Sequence, residues 1–503
     1  MQTVSAEFAA ACRTTVRHPV FRVKVNWNDS YYVTETEFVV SHSGALRVGL
    51  PGEELVMAGD VGEATVILDN STGRFSWRDV NCPLYPHIGG ASGMFGKSII
   101  IEQGLVVGQG DTGPIVQYVI IFTGIIFDWD ESLAPRTVTL TCRDVGAKYL
   151  QHRISSVLLT DHRTDQLLTC YAALLGIPDG ERVLDVSSFQ IPYSWLDDES
   201  GLEEMWEVAQ AEGGRCYFDG LGKLHFESVS HWVSHTTAVW ELTGDDYQAY
   251  GPDFNPETLA TKIIVEWSGR QLGAVTVLYN LEEVKVVRPC ETVEFEARLN
   301  QPMYQLVPLE SGTDYKFVSA GGIDLGDSVN ITLPVANCYC QRCTVRITNN
   351  HSSLAAQVIF LQIRGYPLSG APAEQTEATP TIPPVEFERV RTVRGNMYLQ
   401  TLTQAQALAR YLAARHAQIV PLWMLQEVPG IPHLELSDRV QFWALPTMTY
   451  AQAGYVTEIQ WRCTVQDGFR QTLHLMDAAA LYSYTDYFVV GQTALGAVGR
   501  CWY

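Results

Sequence analysis

Cysteine is scarce: eleven residues in a chain of 503, scattered along its length. That density excludes a disulfide scaffold, and the odd count fits reduced thiols in a cytoplasm. Positive charge is scarce as well. Lys and Arg number 34 against 56 Asp and Glu, a formal net charge of −22. This argues against a protein that grips DNA by counterion release, which needs a basic face. Charged residues of both signs make up 18%, below the usual ~25%, which points to extensive burial or to surfaces hidden by self-association. Long apolar runs are missing. The longest, Ile115–Phe127, is interrupted by Gln117, Thr123 and Gly124 and falls short of the ~18–20 residues a transmembrane helix needs. The first residues show no basic segment followed by a long apolar one, so no signal peptide is expected. There is no P-loop glycine–lysine pattern, no G-x-S-x-G and no fixed-period repeat.

What is present is a large globular composition. Hydrophobic residues make up 46% and aromatics 11%, with 40 Gly and 23 Pro; disorder, collagen and a long coiled coil are ruled out. The length suggests about three or four domains. The first block, 1–150, reads as strands. Phe21-Arg-Val-Lys-Val-Asn-Trp27 alternates, and Tyr31–Val40, Ala64–Leu68, Ser98–Glu102, Gln117–Phe127 and Arg136–Cys142 follow. Turn signals separate them at Asn28-Asp29, Asp69–Gly73 and Gly108–Pro114. Strands at such short spacing suggest a β-barrel or sandwich.

Residues 151–235 read as a small α/β insertion. Asp165–Leu175 has helical spacing and stops at Gly176 before Pro178. Ser200-Gly-Leu-Glu203 has the pattern of a capping box, and Arg215–Phe218, the turn Asp219–Gly222 and Lys223–Glu227 form a hairpin. Residues 236–370 are strand-like again. Residues 371–394, poor in bulky apolar side chains and rich in Pro and Thr, read as a linker or long loop. In 395–485 a helix at Thr403–His416 precedes strands at Val440–Leu445, Tyr455–Val465 and Gln471–Leu475, and 486–503 is a C-terminal tail.

No catalytic or cofactor-binding set emerges. Cys338-Tyr-Cys340-Gln-Arg-Cys343 is the most metal-like feature, with His351 as the near fourth ligand. Its C-x-C-x-x-C spacing is not standard, so thiols in a turn and strand start are the plainer reading. Asp161, His162, Asp197, Asp198, Glu199, Glu203 and Glu204 could supply acid–base chemistry. The carboxylates among them surround a helix N-terminus, where capping and the dipole account for them. Asp144 could be a base but fits a turn closure better. Gly89–Gly93 holds a Ser among glycines without the nucleophile spacing, and Gly104–Gly113 reads as a hairpin loop. The twelve Trp and 23 Tyr could line a sugar-binding face, although core packing explains most of them.

Several segments, in one order along nearly the whole chain, resemble the baseplate or tail-tip hub proteins of tailed bacteriophages. They are Ala64–Asn70 with Gly73–Ser76, Ile120–Gly124 with Leu140–Asp144, and the helix-hairpin Leu202–Glu227. Further along come Val345–Asn349 with Leu361–Gly365, then Ala405–Arg415, then His433-Leu-Glu-Leu-Ser-Asp438 with Ser437 where Gly is usual, and Phe488–Gly491 with Leu495-Gly496. The resemblance implies a mainly β fold with a small α/β insertion: two related β-barrel domains plus accessory α/β and β domains, forming a trimeric ring. It implies a structural virion protein without enzymatic activity or cofactor, sited at the tail tip after assembly in the host cytoplasm. Such a homotrimer adapts a sixfold tail tube to a threefold spike or fibre within the host-attachment apparatus. Its implied partners are the distal tail or baseplate ring protein, the tape-measure protein and a spike or central fibre protein. Phage DNA would pass its acidic walls at ejection without specific binding. The competing expectations are a tail-associated cell-wall or polysaccharide hydrolase and a carbohydrate-binding adhesin.

Overall fold

In the computed structural model, residues 1–478 are described except 15, 50–58, 90–92, 111–112, 244–246, 254–258, 335–337, 381–386, 418–421, 444–450 and 465–466. The middle of the Gly89–Gly93 segment, the end of Val440–Leu445, and the tail 486–503 with its Phe488–Gly496 motif lie outside the described residues.

Strand alternation in the first block produces what it should. Val23, Val25 and Trp27 turn inward and are buried, with Phe21 partly so. The main sheet has thirteen strands, numbered here in chain order. From the first block come β1 (Pro19–Val25), β2 (Val33–Thr34), β3 (Val39–Arg47), β4 (Glu63–Asp69), β5 (Ser98–Gly110), β6 (Gly113–Leu133) and β7 (Arg136–Asp144). From later in the chain come β8 (Trp240–Leu242), β9 (Gln248–Asp253), β10 (Leu422–Pro429), β11 (Arg439–Phe442), β12 (Gln452–Thr464) and β13 (Gly468–Asp477). The hydrogen-bonded order is β9-β10-β13-β12-β3-β4-β7-β6-β5-β1-β2, with β11 beside β12 and β8 beside β11.

This corrects the expectation of two barrels. Among the described residues neither block closes on itself. Instead β3 pairs antiparallel with β12, Ser41 opposite Thr464 through Arg47 opposite Glu458, and fuses the two halves into one sheet over one continuous core. The joint depends on a missing side chain. Gly44 lies opposite Trp461, and a Cβ there would come within 2.4 Å of the indole and 2.6 Å of the Glu63 carbonyl. Two further readings change. Tyr31–Val40 is not one strand: Asn28 Oδ1 accepts the amides of Ser30 and Tyr31, and a short strand and a 3-10 turn at Thr36–Phe38 precede β3. Gly104–Gly113 is mostly strand, because β5 and β6 continue pairing to Gly110 opposite Gly113.

The α/β insertion follows its sequence closely. Helices span Thr164–Leu174 and Gly201–Ala211, and Arg215–Phe218 pairs with Leu224–Glu227. Half of the expected capping box forms: Ser200 Oγ accepts the Glu203 amide and donates to Leu150 O. Gly176 takes φ +74, the left-handed stop that ends the first of these helices. The helix Leu402–Arg415, capped by Thr401 and Gln404, buries Ala405, Leu408, Ala409, Leu412 and Ala413 in the same core as the insertion.

The stretch read as a linker contains two strands. Glu374–Ala378 and Val390–Val393 flank Lys262–Trp267 on either side. Their side chains are half-buried or exposed, so no apolar pattern marks them; backbone pairing to a buried central strand holds them. In the remaining β region, Ala356–Gly370 pairs with five strands. Its sheet closes with that of Thr292–Arg298, Arg342–Asn349 and Val329–Thr332 over a shared core that includes Phe317, Val345, Ile347 and Ile363. No helix among the described residues is long and apolar enough to cross a membrane.

Three carboxyls, two buried and one half-buried, set a pH dependence. Burial pushes Asp144, Glu204 and Glu212 each up to about 7. An acid whose folded pKa lies above its unfolded value stabilises the fold when protonated. Its contribution is therefore complete below the unfolded pKa and falls as pH rises toward 7. Burial lowers His42 and His433 to about 4, which gives the opposite slope between about 4 and 6.5. Glu212→Gln isolates one acid. Urea unfolding at stepped pH is expected to show this variant gaining on the parent between pH 5 and 7.5, by on the order of 2 kcal/mol. A difference independent of pH would show that Glu212 is ionised throughout.

Candidate functional site

The residues singled out for chemistry do not form one site, although Glu199 and Glu203 lie near enough to Glu204 to help raise its carboxyl. Asp197 accepts from Arg342 Nε, Arg153 lies 3.3 Å from Asp198 and 3.9 Å from Glu199, and Glu204 accepts the Tyr398 hydroxyl. Asp161 and His162 sit on the exposed strand Leu159–Arg163, where His162 bonds its own backbone neighbour Thr160. Asp144 closes a turn by accepting the amides of Gly62 and Gly146. An open groove of about 960 Å³ runs between β1 and the β12–β13 turn, but Asp467 is the one acidic residue among its described lining residues, which also include Arg17, His18 and Arg470. Paired carboxylates of the glycosidase kind are not assembled there.

The three cysteines divide between two environments. Cys343 belongs to the core of the β region, whereas Cys340 is buried beside Trp195 and Leu368 with its thiol toward the Met303 carbonyl at 3.5 Å. Burial pushes the Cys340 thiol up to about 12, against releasing its proton to a metal. His351 Nδ1 accepts the amides of Ser353 and Leu354, away from ligand duty. Among the described residues no group of three or more His, Cys, Asp or Glu is placed to hold a metal ion.

The residues of the ordered motifs, by contrast, each fix a corner of the fold. Asn70 ties the turn after β4: Oδ1 accepts the Phe75 amide at 2.9 Å and Nδ2 donates to Ser76 Oγ at 3.0 Å. Gly124 lets β6 and β7 approach, since a Cβ there would lie 2.1 Å from the Arg143 carbonyl. Asn349 is fully buried; Nδ2 donates to the carbonyls of Val287 and Leu354, and Oδ1 accepts the His351 amide. Asn349→Ala would strand all three partners. A loss of about 2–3 kcal/mol is expected in urea unfolding, and an unchanged midpoint would remove Asn349 from this role.

Ser437 explains its own departure from the glycine pattern. Its φ is +64, the left-handed region where glycine is at home. The serine is retained at the centre of a buried junction: Ser437 Oγ donates to Glu227 Oε2 at 2.7 Å and accepts the Trp232 indole N–H at 3.1 Å. Glu227 also receives Arg215 through two N–H groups at 2.9 and 2.6 Å, and the Tyr217 hydroxyl at 2.8 Å. Arg215 lies 3.4 Å over the Trp232 ring, which stacks on Tyr455 of β12. Burial alone would raise the Glu227 carboxyl, but Arg215, His231, Ser437 and Tyr217 outweigh it and hold it below the usual range. This junction fastens the α/β insertion to the main sheet. Sequence reasoning missed it because its members lie some 210 positions apart; Ser437 in place of glycine was the available signal.

No protein-family model matches the chain, and no curated protein matches it by sequence. Over about nine-tenths of its length it is similar in structure to solved bacteriophage-type tail proteins. The 43 kDa tail protein of prophage MuSo2 from Shewanella oneidensis aligns at 10% identity and TM-score 0.49, covering 92% of this chain and 99% of that one. A tail protein from Neisseria meningitidis MC58 aligns at 10% identity and TM-score 0.44, covering 91% and 96%. The prophage tail protein gp18 of Listeria monocytogenes EGD-e aligns at 7% identity and TM-score 0.42, covering 91% and 94%.

Proposed function

We propose that this chain is a structural tail protein, the hub of a phage tail tip or baseplate, acting as a homotrimer that adapts a sixfold tube to a threefold spike or fibre. The observation that carries this reading is the placement of the motif residues. Asn70, Gly124, Asp144, Asn349 and Ser437, picked out by an ordered resemblance to hub proteins, are the residues that tie turns, allow close strand approach and join the chain's units. Their roles are architectural, and no step of bond making or breaking is assigned to them. In this function the working chemistry is burial of surface between subunits and toward the ring, tape-measure and spike proteins. The net charge of −22 would let DNA slide past acidic walls without sticking.

Light scattering on the purified chain over a range of concentrations tests the reading. A stable mass near three times 56.0 kDa is expected. A monomer at every concentration, together with absence of the chain from purified tail particles by mass spectrometry, would overturn it.

A further inference from the structure

Cys338 and Cys343 face one another across a tight antiparallel bridge. The Tyr339 amide donates to the Arg342 carbonyl at 2.6 Å, between the two cysteines. The cysteines are thus a pair flanked by a ladder hydrogen bond rather than sharing one. Pairs of that kind hold their Cα atoms about 4.5 Å apart with side chains on the same face, inside the roughly 4.4–6.8 Å that a disulfide spans. Both cysteines are free thiols.

We propose that Cys338 and Cys343 are a reversible dithiol–disulfide site, oxidised by small-molecule disulfides of the glutathione class. The two thiols are suited to different steps. Cys338 is half-exposed with its Sγ donating to the Pro334 carbonyl at 3.3 Å, and the neighbouring Cys343 thiol holds it below the ordinary thiol range. Cys343 is buried, and the neighbouring Cys338 together with burial raises it. The Cys338 thiolate attacks one sulfur of the oxidised glutathione, forming a mixed disulfide and expelling one glutathione thiolate. Cys343 then gives its proton to that thiolate or to water and attacks the Cys338 sulfur. The protein disulfide forms, and the second glutathione leaves. Two thiols are oxidised and one glutathione disulfide is reduced to two thiols. Cys340, one residue from the middle of this loop, takes no part because its sulfur points away into the Trp195–Leu368 cluster.

The site sits at a working joint. Between the two cysteines, Arg342 reaches Asp197 and, at 2.7 Å, Ser155 Oγ, tying the β region to the α/β insertion. Closing the ring would hold that arginine's loop in place. The inference stands apart from the tail reading and would survive its failure.

The test is incubation of the full chain with oxidised glutathione, then alkylation after unfolding and peptide mapping by mass spectrometry. The expected product is a Cys338–Cys343 disulfide with Cys340 still alkylated, reversed by dithiothreitol. Exposed Cys290 serves as the internal control and should stop at a glutathione adduct. Cys343→Ser should trap glutathione on Cys338, and Cys338→Ser should leave Cys343 free. A lasting glutathione adduct on Cys338 of the parent chain, a disulfide involving Cys340, or an unreacted pair while Cys290 is modified would overturn the proposal. If Cys343→Ser fails to fold, the parent map and Cys338→Ser still decide it.

Discussion

Glu227→Ala is expected to cost about 3–5 kcal/mol of unfolding free energy, the range for breaking a buried ion pair from one side. Arg215 and Glu227 are both nearly inaccessible. Removing the carboxylate leaves the guanidinium charged and unpaired, and strands the hydroxyls of Tyr217 and Ser437. The cost is not the worth of the pair, since removing both charges can be close to neutral. A double-mutant cycle with Arg215→Met separates the two quantities: the double variant should recover much of what Glu227→Ala loses. The pH sign is also fixed. Because the folded carboxyl is held below its unfolded value, its contribution is present above the unfolded pKa and lost as pH falls through the folded one. Acidification below about 4.5 should therefore narrow the gap between parent and Glu227→Ala. Additive losses in the cycle, or a gap independent of pH, would count against the junction as described.

Trp461→Ala should be nearly as severe, at about 3–5 kcal/mol. Trp461 is buried on β12, packs on Phe122 of β6 at 6.0 Å between ring centres, and covers Gly44 of β3. Its loss opens a cavity at the seam between the two halves of the main sheet. The reciprocal change, Gly44→Ala, inserts a methyl where the indole and the Glu63 carbonyl already stand, and overpacking of that kind costs about 1–3 kcal/mol. Combining the two should cost less than their sum, because each relieves part of the other's defect. Urea unfolding of the three variants measures this; strict additivity would mean that the two residues do not share the seam.

Local patterns were legible wherever burial repeats with the period of the element. The alternation of Phe21–Trp27, the helix expected at Thr403–His416 and found at Leu402–Arg415, and the hairpin around Asp219–Gly222 all appear in the structure, although Leu402, expected on the helix's apolar stripe, is exposed. The strands Glu374–Ala378 and Val390–Val393 were not legible, because they are held by backbone bonds and carry no apolar face. The single large sheet was hidden for a different reason. Nothing in Ser41–Arg47 announces that its partner is Glu458–Thr464, since pairing over such a separation leaves no local trace. The site residues divide in the same way. The motif asparagines and glycines stood out as a series, but the Glu227 junction exists only once the chain has folded.

The β3–β12 pairing also dictates a timetable for biosynthesis. The β3 strand leaves the ribosome more than four hundred residues ahead of its partner, an interval of about 20–80 s at typical rates of translation of 5–20 residues per second. Throughout that time one side of β3 is an open edge, the kind that recruits stray strands. Ribosome-bound chains arrested before residue 458 should therefore depend on chaperone protection. Closure of the sheet therefore waits on translation of Glu458–Thr464, so the first half of the main sheet cannot be completed until the second half has been made.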